Sequence, residues 1–424
     1  MRGIAASIPV YFLIAAAGVL PAAAVEAAAN VVRIATFNAS LNRDNEGGLR
    51  QSLSNPDDPQ ARAVAEIIQR VRPDILLLQE FDYDAAGVAL RDFQSNYLAR
   101  AQNGAAPIEF AYSFFAESNT GVPSDFDLDH DGRIGGGGDA LGFGAFPGQY
   151  GMVVLSKFPI DRKHARTFRK YLWRDMPGAL LPDRLETPQP FDWYSPEQLA
   201  VLPLSSKSHW DVPVRIDGKT LHLLVSHPTP PAFDGPEDRN GLRNHDEIRF
   251  WNDYLSPRGA GYIRDDAGKR GGFGGRAFLI MGDQNSDPED GASRHEAIRA
   301  LLAHSRVAAS HIPRSAGATE AAQLQGGVNN DQRGDSAADT ADFNDRSAGN
   351  LRVDYLLPSK GLTVCGQGVF WPARDDPQAS LVWGTPPPSS DHRLVWMDVT
   401  AASARCPPGS DPKASATSHP RRRR

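Results

Sequence analysis

Eight short runs of β-branched and leucine-rich residues recur between loops and decide what this chain can fold into. They lie at Val31–Phe37, Ile75–Leu78, Met152–Leu155, Val212–Ile216, Leu221–Val225, Ala277–Met281, Leu351–Leu357 and Leu394–Val399. Each predicts a strand. Between the first two, Val64, Ile67, Ile68 and Val71 fall at i, i+3, i+4 and i+7, which predicts a helix ending before Pro73. Further helices are expected at about Asn240–Leu255 and Ser293–His304. So many strands with few helices predict two packed sheets with helices on their outer faces, an α/β sandwich. The insertions Leu180–Lys207, Asp253–Arg276 and Pro313–Asn350 are rich in Gly, Pro, Asp and Ala and are expected to be loops laid over one body.

The ends of the chain differ from this body. Arg2, an apolar run from Ile8 to Leu20 and small residues at Ala22, Ala24 and Ala27 predict a cleaved export signal over residues 1–29. The apolar run is shorter than the roughly 20 residues that span a bilayer, so no transmembrane segment is expected. A secreted or periplasmic protein follows. The segment Pro407–Arg424 has no periodic apolar residues and is expected to be a disordered basic tail, leaving one domain over residues 30–406. Of the total charge of −6, the leader carries zero and the tail +4, so the body carries −10. An acidic body is a poor non-specific binder of polyanions, although a divalent cation and a local basic groove still admit one phosphate. Cys365 and Cys406 are the only cysteines, and in an exported chain a bridge between them is expected, with two free thiols as the alternative.

Several strands end in a residue able to touch a metal or a phosphate. Thr36-Phe37-Asn38 closes the first, Gln79-Glu80 the second, Ser226-His227 another and Gly282-Asp283-Gln284-Asn285 a fourth. Arg352-Val353-Asp354-Tyr355 and Ser389-Ser390-Asp391-His392-Arg393 follow near the C-terminus. Singly, each such Asn, Asp or His reads as a turn or surface residue. In this order, TFN, QE, SHP, GDQN, RVDY and SSDH resemble the endonuclease/exonuclease/phosphatase superfamily, which includes deoxyribonuclease I, abasic-site endonucleases, neutral sphingomyelinases and inositol-polyphosphate 5-phosphatases. The resemblance covers about Val31 to Thr400. It implies a four-layered αββα sandwich of two mainly antiparallel sheets flanked by helices, and a hydrolase of phosphoric esters dependent on Mg²⁺, or on Mn²⁺ in its place.

The resemblance also implies roles. Glu80 is the principal metal ligand, supported by Asn38 and Asp391, because a hard cation prefers carboxylate and amide oxygens. Asp283 orients or deprotonates the attacking water, and Asn285 holds a phosphate oxygen. His392 meets the phosphate or moves a proton, with Asp354 on its other ring nitrogen. His227 matches a second phosphate-side position. Its partner stays unassigned: Tyr150 is either a supporting residue or a loop aromatic packed near its strand. In the long polar stretch after His227, Arg239, Arg243 and His245 are candidates for substrate contacts, against a helix start capped by Asn240 with solvated charges.

A second site is suggested by Asp127-Leu128-Asp129-His130-Asp131-Gly132-Arg133-Ile134, which repeats the start of an EF-hand-like loop. Asp127, Asp129 and Asp131 are the expected Ca²⁺ ligands, and a solvated acidic loop is the alternative. Position 12 is Gly138 rather than Glu, and Asp139 follows. The expected substrate is a phosphodiester, nucleic acid first. The competing substrate is a membrane phospholipid or small phosphorylated ester, with Phe191, Trp193 and Tyr194 as a candidate membrane-facing group. A non-catalytic Ca²⁺-stabilised binding protein is the remaining alternative. A monomer is expected.

Overall fold

A computed structural model describes residues 31–401 and 405–407. The expected export signal over residues 1–29 and the expected tail beyond Pro407 lie outside the described residues.

Two sheets form the centre. The first has the order β12-β13-β1-β2-β4-β3, built from β1 (Val32–Leu41), β2 (Ile75–Phe81), β3 (Tyr112–Phe114), β4 (Met152–Ser156), β12 (Leu362–Val369) and β13 (Val395–Ala401). The second has the order β11-β8-β7-β6-β5, built from β5 (Arg166–Thr167), β6 (His209–Ile216), β7 (Lys219–Ser226), β8 (Phe278–Asp283) and β11 (Asp354–Pro358). Strands β9 (Ala341–Asp342) and β10 (Asn350–Leu351) make a two-stranded ribbon. Each large sheet contains one parallel pair, β1 with β2 and β7 with β8, among otherwise antiparallel neighbours.

The sheets pack face to face, with β1 and β2 against β8, and β1 and β13 against β11. Alternation along the strands assigns the layers. In β7 and β8, Leu223, Val225, Leu279 and Met281 join the core that also holds β1 and β2. Their neighbours Leu224, Phe278 and Ile280 join Ile248, Trp251, Ile298 and Leu301 of helices α5 (Arg239–Tyr254) and α6 (His295–Leu302). Helix α2 (Pro59–Val71) covers the other sheet with Val64, Ile67, Ile68 and Val71. The result is the expected αββα sandwich. Covering both faces of a sheet removes any polar face, which is why β2, β4 and β8 read as nearly continuous apolar runs. Further helices α1 (Gly48–Leu53), α3 (Val88–Asp92), α4 (Pro196–Leu199) and α7 (Ala316–Gln325) lie in the connections.

Three expectations change. The insertion Pro313–Asn350 is not all loop: α7 forms within it, started by the Ser315 hydroxyl accepting from Ala318 N. The run Leu351–Leu357 is two strands, because Val353 N and Asp354 N leave the ladder and donate to Thr340 Oγ1 at 3.0 and 2.9 Å. Strand β12 has no apolar run to announce it, since glycines and a glutamine interrupt LTVCGQGV. The cysteines are bonded, tying Cys365 on β12 to Cys406 after β13. No helix among the described residues is long and apolar enough to cross a membrane.

Candidate active site

The site forms where the two parallel pairs end side by side. Asn38 on β1 is paired in register with Gln79 on β2, and both side chains cross to the other sheet. Asn38 Nδ2 donates to Glu80 Oε1 at 3.0 Å and to Asp283 Oδ2 at 3.2 Å. Gln79 Oε1 accepts from Asp283 N at 2.8 Å, while its amide nitrogen donates to Ser226 O at 3.4 Å. This close approach requires Gly282, at φ 133°, where an added Cβ would lie 2.1 Å from Ser226 O. Beside it, three residues with side chains adopt left-handed backbone: Ser40 at φ 48°, Glu80 at 55° and Asn285 at 50°. Such conformations cost about 1 kcal/mol or more each and persist where surrounding structure imposes them.

Asp283 is the hub. It is 1 % exposed, and its Oδ1 accepts from Asn285 N at 2.7 Å. Its Oδ2 lies 3.4 Å from His227 Nε2 and 3.7 Å from His392 Nε2. Burial, with Asp354 nearby, pushes its carboxyl up to about 7, although His392 and its hydrogen bonds oppose the rise. His392 Nδ1 meets Asp354 Oδ2 at 2.9 Å. Burial disfavours charge on His392, but Asp354 and Asp283 outweigh it and hold the imidazolium well above the ordinary histidine range. His227 goes the other way: burial, then Lys207 and His392, hold it well below that range, and its Nδ1 has no partner among the described residues. The site thus sets a charged histidine and a neutral one on either side of one carboxylate.

Glu80 and Asp391 occupy the more open side. Ser40 Oγ donates to Asp391 Oδ1 at 3.1 Å, and Ser390 Oγ donates to Asn38 O at 2.8 Å, joining the SSDH segment to β1. Burial raises the Glu80 carboxyl, His392 and Asn38 oppose this, and Asp391 adds to it. No lysine or arginine among the described residues forms an ion pair with Glu80 or Asp391. Two unneutralised carboxylates beside an amide oxygen, Asn38 Oδ1, whose one contact is from Ser40 N at 3.3 Å, fit a hard divalent cation. Asp283, Asp354 and His392 also bring ligating atoms within 4.8 Å of one another, but Asp354 already engages His392 Nδ1, which suits proton transfer better than a cation cage.

Several residues near the site have no signal in the sequence motifs. Lys207 is 6 % exposed and donates to Pro228 O at 3.5 Å. Glu247 of α5 accepts from Ser206 N at 2.7 Å and Thr229 N at 2.6 Å, and Asn244 donates to Thr229 O and Gln284 O. These bonds hold the segments flanking Lys207 and His227. Arg243 is a structural residue rather than a substrate contact: it is buried and donates to the Leu204, Pro203 and Leu141 carbonyls. His245 is turned onto Asp246, and α5 starts one residue before Asn240, with Asp238 at the N-cap position making no side-chain capping bond and Asn240 N donating to Asp234 Oδ2 at 2.7 Å. Tyr150 is half-buried at φ 56°, with its N–H on Asp82 Oδ1 at 3.1 Å. Burial and then Glu80 raise its phenol, placing it on the Glu80 side and not beside His227 Nδ1.

In the acidic loop, the carboxylates that gather are not quite the expected three. Asp127, Asp129 and Asp139 gather with carboxylate oxygens within 4.8 Å, and Asp131 stays outside, its Oδ1 accepting from Arg133 N at 2.8 Å. Asp139 enters because its carboxylate folds back onto Leu128 N at 2.6 Å and Gly135 N at 2.8 Å. Of the aromatic trio in the insertion, Tyr194 is buried and Trp193 stacks on His130 with centroids 4.2 Å apart, leaving Phe191 exposed.

The family model described as Endonuclease/Exonuclease/phosphatase family matches residues 35–392. No curated protein matches the chain. Among solved structures, the chain is similar to an endonuclease/exonuclease/phosphatase from Beutenbergia cavernae, at 16% identity and TM-score 0.45, covering 88% of this chain and 72% of that one. It is also similar to sphingomyelinase C from Streptomyces griseocarneus, at 15% identity and TM-score 0.42, covering 87% and 99%. A third is a mannosyl-6-phosphatase from Bacteroides thetaiotaomicron, at 12% identity and TM-score 0.43, covering 87% and 99%. With the family's motifs gathered at one end of an αββα sandwich and its model matched from the first of these strands to His392, this chain belongs to the endonuclease/exonuclease/phosphatase family.

Proposed function

We propose that this protein is an exported, divalent-metal-dependent phosphodiesterase, with nucleic acid as the first substrate class. The observation that carries the reading is the bridge made by Asn38, which joins Glu80 to Asp283 across the two sheets. It couples a cation-binding side to a proton-transfer side. Glu80, Asp391 and Asn38 would hold Mg²⁺ or Mn²⁺, and the bound ion would supply Lewis-acid polarisation of a phosphoryl oxygen. Asp283, with its carboxyl near 7, takes a proton from the attacking water at neutral pH. Asn38 and the Asn285 N–H fix the direction in which that carboxylate points. His392, kept charged through Asp354, faces the negative charge that builds on the phosphoryl group. Asn285 Nδ2, resting on Pro228 O at 3.1 Å, is the donor for a second phosphoryl oxygen. Export is supported by the leader pattern and the Cys365–Cys406 bond.

A phospholipid substrate is the second reading, favoured by apolar side chains left in solvent: Phe143 is 68 %, Phe191 57 % and Phe233 89 % exposed. Product release from plasmid DNA, RNA, sphingomyelin and bis-p-nitrophenyl phosphate, with Mg²⁺ and then with EDTA, separates the two. Release from nucleic acid that EDTA stops is expected. Release from sphingomyelin alone would favour the lipid reading, and inertness towards all four would refute the phosphodiesterase assignment.

A further inference from the structure

Lys207 is a buried amine that forms no ion pair among the described residues; burial disfavours its charge, and Glu247, Glu80 and Asp283 act against that effect from a distance. It is 6 % exposed, it makes one long hydrogen bond, to Pro228 O at 3.5 Å, and no carboxylate among the described residues lies within ion-pair distance. Taking such a charge out of water without a partner is costly. An anionic ligand oxygen would give this amine the direct partner that the described residues do not supply.

The position is rigidly built. Lys207 O accepts from Asn119 N at 3.0 Å, and the preceding Ser206 is held through its N–H and hydroxyl by Glu247 Oε1 at 2.7 and 3.1 Å. The glycine-rich insertion closes the other side: a Cβ on Gly142 would lie 1.9 Å from Ser206 O. The Lys207 ammonium and the Asn285 amide nitrogen converge on the same carbonyl, that of Pro228, next to His227. Two donors therefore stand together beside His227, near enough to Asp283 and Glu80 for Lys207 to interact with both electrostatically.

We propose that Lys207 is a catalytic residue whose ammonium binds a non-bridging oxygen of the scissile phosphoryl group, beside Asn285. This rests on the phosphoesterase reading given above. It assigns to lysine the positive charge that His227, with an unpartnered Nδ1 in a buried position, does not carry. The charge meets the phosphoryl oxygens, where negative charge builds in the transition state.

The test compares wild type with Lys207→Met on the four-substrate panel and measures inorganic phosphate binding by calorimetry. The expected result is a fall in kcat on the order of 10²-fold, as for removal of one fixed oxyanion donor, and at least tenfold weaker phosphate binding. Tm should stay level or rise, because an unpaired buried charge is gone; a purely structural lysine would instead lower it. Should Lys207→Met fail to fold, Lys207→Gln and Lys207→Arg take its place, with Gln expected to lose activity and Arg to retain part of it. An active wild type whose folded Lys207 variant keeps kcat and phosphate affinity within threefold overturns the inference and leaves the phosphoesterase reading standing. A wild type inert on all four substrates overturns that reading instead. Calorimetry then judges Lys207 alone, and phosphate affinity that is absent, or equal in wild type and variant, overturns it.

Discussion

Replacing single side chains should separate the two sides of the site. Glu80→Gln keeps shape but removes the charge proposed to hold the cation, so turnover should vanish at ordinary Mg²⁺ in a folded protein. Wild-type turnover in that variant would exclude Glu80 as the main ligand. Asp283→Asn and His392→Ala should each retain Mg²⁺ binding and lose about 10²-fold or more in kcat with little change in KM. Because both act on one step, the double variant should be only slightly worse than the worse single; losses confined to KM would make them positioning contacts. Asp339 gives a prediction about stability. Burial, reinforced by Asp287, Asp290 and Asp335, pushes its carboxyl up to about 9, and its Oδ2 has no partner among the described residues. The folded protein therefore keeps a proton that the unfolded chain releases near pH 3.9. Stability from this group is full below that pH and falls as pH climbs towards 9. Asp339→Asn should match wild type in Tm near pH 4 and exceed it increasingly up to pH 9, and equal Tm values at pH 8 would show that Asp339 is not protonated in the fold.

At the scale of elements, the loop around Asp127 is the clearest test of a structural difference from the sequence pattern. If Ca²⁺ binds there, it should raise Tm, since a ligand of the folded state alone stabilises it by mass action. Asp129→Ala and Asp139→Ala should abolish the increase, and Asp131→Ala should preserve it. A melting curve indifferent to Ca²⁺ would reduce the loop to a solvated acidic turn. The sequence pattern pointed to Asp131 because EF-hand spacing is local, whereas Asp139 enters through a fold-back of the glycine-rich segment that no local spacing encodes. The same distinction governs the rest of the chain. Strands such as Ile75–Phe81 are legible because burial on both faces leaves a continuous apolar run, and Asn38, Glu80, Asp283 and His392 are legible because each stands at or near an end of one. Strand β12 was not, because its glycines and Gln367 break the run although partners on β13 complete the ladder. Lys207 sits in Ser-Ser-Lys-Ser, and the Glu247 that anchors its neighbour lies 41 residues from Ser206, so only the folded chain brings them together.

Across the whole molecule, the groups proposed for catalysis are divided between two sheets, with Asn38, Glu80 and Asp391 on or beside one and His227, Asp283 and Asp354 on or beside the other. Between β1–β2 and β7–β8 the polar links at the site are the bonds from Asn38 and Gln79 to Asp283 and Ser226, while the apolar layer holding Met281 and Leu279 sets the spacing. Met281→Ala, expected to cost about 2–5 kcal/mol, should lower turnover at temperatures where circular dichroism still reports full secondary structure. If turnover and ellipticity fall together along one curve, the sheets separate only by unfolding. If the proposed centre straddles this seam, it would act as a gauge of it: a slip of an ångström between two intact layers would cut turnover before the layers melt, and activity rather than the melting curve would then mark the temperature at which the protein stops being useful.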